Sequence, residues 1–380
     1  MIRISSKLGH VVLKALFYPQ TAQKIVCKLY AVVTALALLS LSLAACMAPP
    51  AGVAGLDSLS TPDLEGSHLS GKLVIYSGRS EQLIQPVLDR FKSDHPDLQI
   101  LLKSGKNSEL ANALLEEKNN PQADVFITTE IITMQALQQA GIFQSYASAA
   151  ATHLPQYAIG PDSQWYGLAR RLRTIMYNTD LVPADQLPDS IFDLSDPAWK
   201  GQVASANSTN GSLQAQLASM RQLLGEEATQ AWLHGLVSNE VTWFGGHTDV
   251  RKAVGAGEFK LGLVNHYYYY LQLEEGSPVG IIFPDQEEGG LGLITNLTAI
   301  GIIGGNQNQA AARALVDFLL SEEGQQLFAE LNYEYPLIPE VSTHPDLQPL
   351  EGFHFAEVDT SRAAADLDSI FDLMERAGLP

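Results

Sequence analysis

Residues 262–271 read GLVNHYYYYL, so four of the chain's thirteen tyrosines stand side by side after Asn265 and His266. A phenol ionises near pH 10 in water, at about the value of free tyrosine. A bound trivalent cation removes that proton at neutral pH, because the metal's charge dominates the local field. The phenolate is then a hard anionic oxygen donor matched to a hard cation such as Fe(III), whereas imidazole and thiolate suit softer or divalent metals. Tyrosine is the iron ligand of catalase. Neighbouring side chains point to opposite faces in a strand and diverge by about 100° in a helix. Two adjacent tyrosines therefore share one ion only at an irregular junction, and the step from LVNH to YYYYLQLEEG reads as strand end to helix start. By composition alone the run is an aromatic face packed on the core. The residues leave both readings open.

The surrounding pattern supplies elements that can position such a junction. KLVIYSG (72–78), LQILLKSG (98–105) and ADVFITT (123–129) read as strands, alternating with amphipathic helices at 81–96, 108–120 and 134–141. Alternation of this kind argues for a parallel α/β sheet. YGLARRLRTIMYN (166–178) is long enough to cross between two sheets. A second cycle follows, with strands at 201–207, 260–266, 279–284 and 291–303, helices at 213–225 and 248–258, and a helical stretch 310–332 broken near Ser321. Two α/β lobes joined by long strands enclose a cleft, and ligands of open α/β sheets bind beyond the carboxyl ends of strands. That rule singles out 77–81, 128–130, 177–178, 208–212, 245–247 and 265–268.

The N-terminus reads as a processing signal, with Arg3, Lys7, Lys14, Lys24 and Lys28, no acid, and then an apolar run ending at Cys46. Leu43, Ala44, Ala45 and Cys46 resemble the bacterial lipobox, which implies cleavage before Cys46 and its acylation. The mature chain then has no other cysteine, so no disulfide framework exists and the core alone stabilises the fold. Loss of residues 1–45 removes five cations and no acid, taking the net charge from −19 to −24. Such a field repels nucleic acid and attracts cations, besides keeping the chain soluble. Residues 47–70, rich in Pro, Gly, Ser and Ala, read as a tether. No phosphate-binding loop with Lys-Ser/Thr, no His-Glu-x-x-His and no Ser-His-Asp set is present, and GGLG (289–292) lacks the context of a dinucleotide loop. A binding protein, not an enzyme, is expected.

From about 72 to 341 the chain resembles the ferric-ion-binding proteins of bacterial ABC importers. The motifs are VIYSGRSEQLI, DRFKSDHPDLQI, SELANALLEE, PQADVFITT, GLARRLRTIMYN, DPAWKGQVASA, NHYY, VDFLLSEEGQQ and YEYPL; the ending LDSIFDLMERAGL is similar as well. NHYY after AVGAGEFKLGLV is the family-specific one. The resemblance implies that Tyr267 and Tyr268 are twin iron ligands and that Tyr177 matches a third. Tyr269 and Tyr270 fall outside the motif. It also implies a synergistic anion, carbonate or another, held by the turn Thr209, Asn210, Gly211 and Ser212 and by Asn265, with Arg79 and Arg171 or Arg173 supplying charge. The chain departs from the family where some members have a histidine (here Ser80, then Glu81) or a glutamate (here Thr129, then Glu130). Glu81 or Glu130 could stand in as a carboxylate ligand, but exposure is the expected fate of each, and His247 and His266 are expected to be no ligands.

The expectation is a two-lobed periplasmic-binding-protein fold of type II, each lobe a mixed sheet flanked by helices, with the ligand cleft between lobes. Its parts are a lipoprotein signal (1–45), a tether (46–71), lobe 1 (72–166 plus 298–341) and lobe 2 (167–297 plus 342–380). The implied role is a monomeric, lipid-anchored, extracytoplasmic carrier of Fe(III) serving an ABC permease and its ATPase. The alternative is the same fold carrying a polyamine, phosphonate or other oxyanion. A hydrolase lacks an activated nucleophile, and a sensor ectodomain would differ in its partner.

Overall fold

The computed structural model describes residues 68–365 and 367–380. The expected signal peptide, Cys46 and nearly all of the expected tether lie outside the described residues. The chain alternates β1 (Gly71–Ser77), α1 (Glu81–Asp94), β2 (Leu98–Ser104), α2 (Asn107–Glu116), β3 (Val125–Thr128) and α3 (Ile131–Gln139). Strand β1 lies between β2 and β3, parallel to both. Helix α1 packs by a stripe of Ile84, Val87, Leu88 and Phe91 at helical spacing. It stops at His95, one residue before Pro96, where the backbone is forced out of the α region.

Strand β4 (Tyr166–Asn178) is the crossing strand that the sequence predicts. Its first half, Tyr166 to Leu172, pairs antiparallel with β9 (Thr295–Ile302), which also pairs with β3. Its second half pairs antiparallel with β7 (Leu261–Asn265) and β8 (Val279–Ile282). Strands β5 (Val203–Ala206), β6 (Thr242–Phe244) and β7 are parallel to one another. The strand order is thus β2-β1-β3-β9-β4 in one half and β4-β7-β5-β6 in the other, with β8 on the free edge of β4. This is the expected two-lobed α/β fold, each half a mixed sheet flanked by helices.

Helices α4 (Gly211–Leu224), α5 (Glu226–Ser238), α6 (His247–Gly255) and α7 (His266–Glu274) belong to the second half. Helices α8 (Gln309–Leu320) and α9 (Glu322–Asn332) are separated at Ser321, whose extended backbone breaks the first helix and whose hydroxyl caps the second by accepting from Gly324 N–H. The expected break near Ser321 is therefore a capping event. Helix α5 adds an element beyond those the sequence predicts, and Thr229, Trp232, Leu233 and Leu236 bury one face of it. The chain ends in α10 (Thr360–Ala365) and α11 (Leu367–Ala377). Helix α10 packs on α3 and α4, and α11 on α5, α4 and, more lightly, α3, so this short pair touches both halves.

Candidate metal centre

Strand β7 is buried along its whole length and runs without a gap into α7. Asn265 is extended at the junction, and Tyr267 and Tyr268 occupy the first helical turn. No preceding turn crowds side chains there, so both rings can swing past the helix end. The rings lie 4.3 Å apart at 33°, side by side. Burial, and then the Tyr267 hydroxyl, push the Tyr268 phenol well above its ordinary value, while Arg171 and Arg79 pull it back. Tyr267 is buried, whereas Tyr268 reaches a cleft of about 380 Å³ bordered by Ser80 and Gln82 of one half and Thr248, Arg251 and Glu274 of the other.

Three buried arginines surround the pair. Arg79 follows β1, while Arg171 and Arg173 lie on β4 on either side of its passage between sheets. Arg79 Nη1 donates to both oxygens of Glu334 (2.7 and 2.9 Å) and to Thr298 Oγ1. Burial pulls the Arg79 guanidinium down, but Glu334 and the tyrosines outweigh it and hold it above its usual range. Arg173 donates to Gln216 and Asn265; burial, then Arg171, lower it to about 9, so it stays charged at neutral pH. Arg79 Nε and Nη2, Arg171 Nε and Nη2, and Arg173 Nη2 are buried with no hydrogen-bond partner. Buried donors are nearly always satisfied, so these five nitrogens are placed to take an acceptor from water or a ligand. A multivalent oxyanion matches guanidinium geometry.

The Thr209–Ser212 turn is more self-contained. Asn210 caps α4, its Oδ1 accepting from the N–H groups of Ser212 and Leu213. Thr209 bonds to Asn207, and Ser212 Oγ accepts from Asn265 Nδ2. Gly211 faces the other half: a methyl group placed on it would lie 2.6 Å from Asn107 Nδ2 and 3.1 Å from Glu130 Cγ.

Tyr177 lies elsewhere. Strand β4 runs antiparallel to β7, so Tyr177 pairs with Leu261, at the start of β7, while Arg173 pairs with Asn265 at its end. Four residues of strand separate the two levels, roughly 13 Å. The Tyr177 ring covers Gly280, where a side chain would collide with it, and Tyr269 lies near it. The rule of carboxyl ends presumes parallel strands, and β4 is not one.

Glu81 is exposed as expected, but Glu130 corrects the expectation of exposure. It is buried as the cap of α3, accepting from Thr133 N–H, with its carboxyl raised by burial. His266 accepts from Leu172 N–H at Nδ1 and donates from Nε2 to the Tyr333 carbonyl. Burial depresses it to about 3, so it is a neutral structural bridge. His247 accepts from Arg173 at Nε2 and is held neutral by burial and that arginine; its ring lies 5.3 Å from Tyr268. Glu334 escaped the sequence reading. Its only signal was an acid between two tyrosines in YEYPL.

Comparison with known proteins follows the same lines. The family described as bacterial extracellular solute-binding protein matches residues 120–362. Iron uptake protein A1 of Synechocystis sp. is 32% identical over 314 residues, 80% of this chain and 86% of that protein. The Fe(3+)-binding periplasmic protein of Serratia marcescens is 31% identical over 81% of this chain and 90% of its own length. Iron-bound HitA from Pseudomonas aeruginosa superposes with a TM-score of 0.75 at 25% identity, covering 81% of this chain and 99% of that one. The Trichodesmium protein in complex with iron and citrate gives 0.67 at 29% identity, over 82% of this chain and 100% of that one. The chain belongs to the bacterial extracellular solute-binding protein family, as a homologue of the ferric-binding proteins that share the type II two-lobed fold.

Proposed function

We propose that this chain is the extracytoplasmic binding component of an ABC importer, that it takes up Fe(III) between the phenolates of Tyr267 and Tyr268, and that it hands the ion to a permease with its ATPase. The observation that carries this reading is the tyrosine pair at the head of α7, its rings 4.3 Å apart, together with three buried arginines that have five nitrogens lacking a hydrogen-bond partner. A phenol keeps its proton at neutral pH, and a trivalent cation displaces it. An anion such as carbonate on the arginines then offsets the remaining positive charge and completes the iron shell. Asn265 and Ser212 hold Arg173 beside it, and Tyr177 packs the second sheet. The relatives named for iron uptake and Fe(3+) binding support the cargo assignment. The proposed lobes are 72–166 plus 298–341 and 167–297 plus 342–380, closing by a hinge where β4 and β9 cross. Acylation at Cys46 would tether the monomer to the membrane through the segment 46–71.

An optical titration with ferric citrate, with and without bicarbonate, tests this. A visible phenolate-to-iron band saturating near one equivalent is expected, and it should vanish in Tyr268→Phe. A second reading is favoured by the arginines alone: an oxyanion carrier without iron. In that case Tyr268→Phe would keep full affinity for phosphate or a phosphonate, and no band would form in the unsubstituted chain.

A further inference from the structure

Glu334 is completely buried, and the ferric reading leaves it without a role. Helix α9 ends at Tyr333, which is left-handed at φ 53°, and this turn drives Glu334 inward. Both neighbours are pinned. The Tyr333 carbonyl accepts from His266 Nε2 at 2.8 Å, and His266 immediately precedes the tyrosine pair. Tyr335 exchanges two backbone hydrogen bonds with Arg170, which immediately precedes Arg171. Glu334 is thus clamped between the strand that carries two of the arginines and the helix start that carries the phenols. Its carboxylate accepts twice from Arg79 Nη1 and lies 3.9 Å from Arg171 Nε.

The bonds to Arg79 use one guanidinium nitrogen and leave Nε and Nη2 unpaired. Both Arg79 and Arg171 act electrostatically on Tyr268. When iron is bound, three guanidiniums and a trivalent ion face two phenolates, the buried carboxylate of Glu334 paired with Arg79 and Arg171, and the more distant Glu130, which also acts on Arg171. That balance is strongly positive, and in a low-dielectric site an uncompensated charge acts at full strength.

We infer that Glu334 is a positioning residue for the ferric site: it fixes Arg79 and Arg171 against the tyrosine pair and offsets part of their charge, and so sets how much anion the site needs to hold Fe(III). The inference rests on the ferric reading above. Withdrawing the carboxylate makes iron retention depend more steeply on an added anion, because the anion must supply the missing negative charge.

The test compares the unsubstituted chain with Glu334→Gln and Glu334→Asp, using ferric citrate and bicarbonate at low and high concentration, with near-ultraviolet circular dichroism reporting the fold. In Glu334→Gln, iron affinity at low bicarbonate is expected to fall by roughly tenfold or more. The loss should shrink at high bicarbonate, and the phenolate-to-iron band should shift in wavelength. A purely structural role would lower thermal stability while leaving the band and the bicarbonate dependence of the folded fraction unchanged, and that result overturns the inference. Glu334→Asp keeps the charge one methylene further away; it covers the case in which Glu334→Gln does not fold, and should give an intermediate effect in the same direction. If both variants, folded, take up iron as the unsubstituted chain does, Glu334 has no part in the site. If the unsubstituted chain itself shows no band, the ferric reading fails and the inference falls with it, an outcome distinct from a failure of Glu334 alone.

Discussion

At the scale of single residues, the proposed role of the tyrosine pair makes the sharpest predictions. Tyr267→Phe and Tyr268→Phe each remove one oxygen and keep the ring, so the fold should persist. Changing an outer-shell partner typically weakens metal binding by about 10- to 100-fold, and loss of a direct ligand should cost more than roughly 100-fold. Tyr177→Phe should leave Fe(III) affinity unchanged, because that ring packs on Gly280 at the far end of β4; competition against a ferric chelator measures all three. Iron uptake should also release protons. The Tyr268 phenol is raised well above its ordinary value by burial, so it is protonated at neutral pH and must ionise on metal binding. Affinity therefore falls as pH falls, and about two protons should leave per iron bound if both phenols ligate. Proton release close to zero would remove the phenolates from the site. The pair was legible in NHYY because adjacent tyrosines after a strand are rare and chemically pointed. Arg79 and Arg171 were legible as nearby charge. Glu334 and the remoteness of Tyr177 were not: the first needs the turn at Tyr333, the second the direction of a partner strand distant in sequence.

Elements were easier to read where the hydrophobic period was strong. Strand β4 and the break at Ser321 matched their expected positions, because thirteen extended residues and a Ser cap announce themselves locally. Helix α5 did not, since Gly225 and the polar residues Glu226, Glu227 and Gln230 at its start mask the stripe of Trp232, Leu233 and Leu236. The element with most functional consequence is the start of α4. Gly211 sits against Asn107, the first residue of α2, and Glu130, the cap of α3, so the two halves meet there through a glycine. A side chain on Gly211 would have to displace a buried amide held by Thr129 at 2.7 Å. If this contact belongs to the iron-holding state, Gly211→Ala should destabilise that state and leave each lobe folded. Iron release should accelerate by about tenfold, equivalent to roughly 1.4 kcal/mol, with little change in the melting temperature of the iron-free chain. Stopped-flow transfer to a chelator reads the rate. An unchanged rate would mean that the cleft holds iron without closing at α4.

At the scale of the whole molecule, the C-terminal pair α10–α11 ties the two halves together, which resemblance at the chain's end did not announce. Gln135 of α3 donates from Nε2 to Thr360 Oγ1 at 2.9 Å and to Ser361 Oγ at 3.3 Å, on the side of the first half. Arg376 of α11 donates to Glu226 Oε1 at 2.6 Å, on the side of the second. A hinge motion about β4 and β9 must carry the pair with one half and pull it from the other. The two footprints differ in kind. Helix α11 buries Ile370, Leu373 and Met374, whereas α10 holds α3 by hydroxyl contacts from Thr360 and Ser361. The weaker footprint should part first, so α10 should leave α3 when the cleft opens. Gln135→Ala removes two hydrogen bonds from that footprint alone, costing about 1 kcal/mol. A contact made only in the closed state shifts the open–closed balance by its full differential energy, and a contact made in both shifts nothing. Gln135→Ala is therefore expected to speed iron release by about fivefold and to enlarge the iron-loaded particle slightly in small-angle scattering. The iron-free particle should keep its dimensions. If release is unchanged while the iron-free chain melts earlier, α10 stays on α3 through the cycle, and the pair travels with the first half rather than the second.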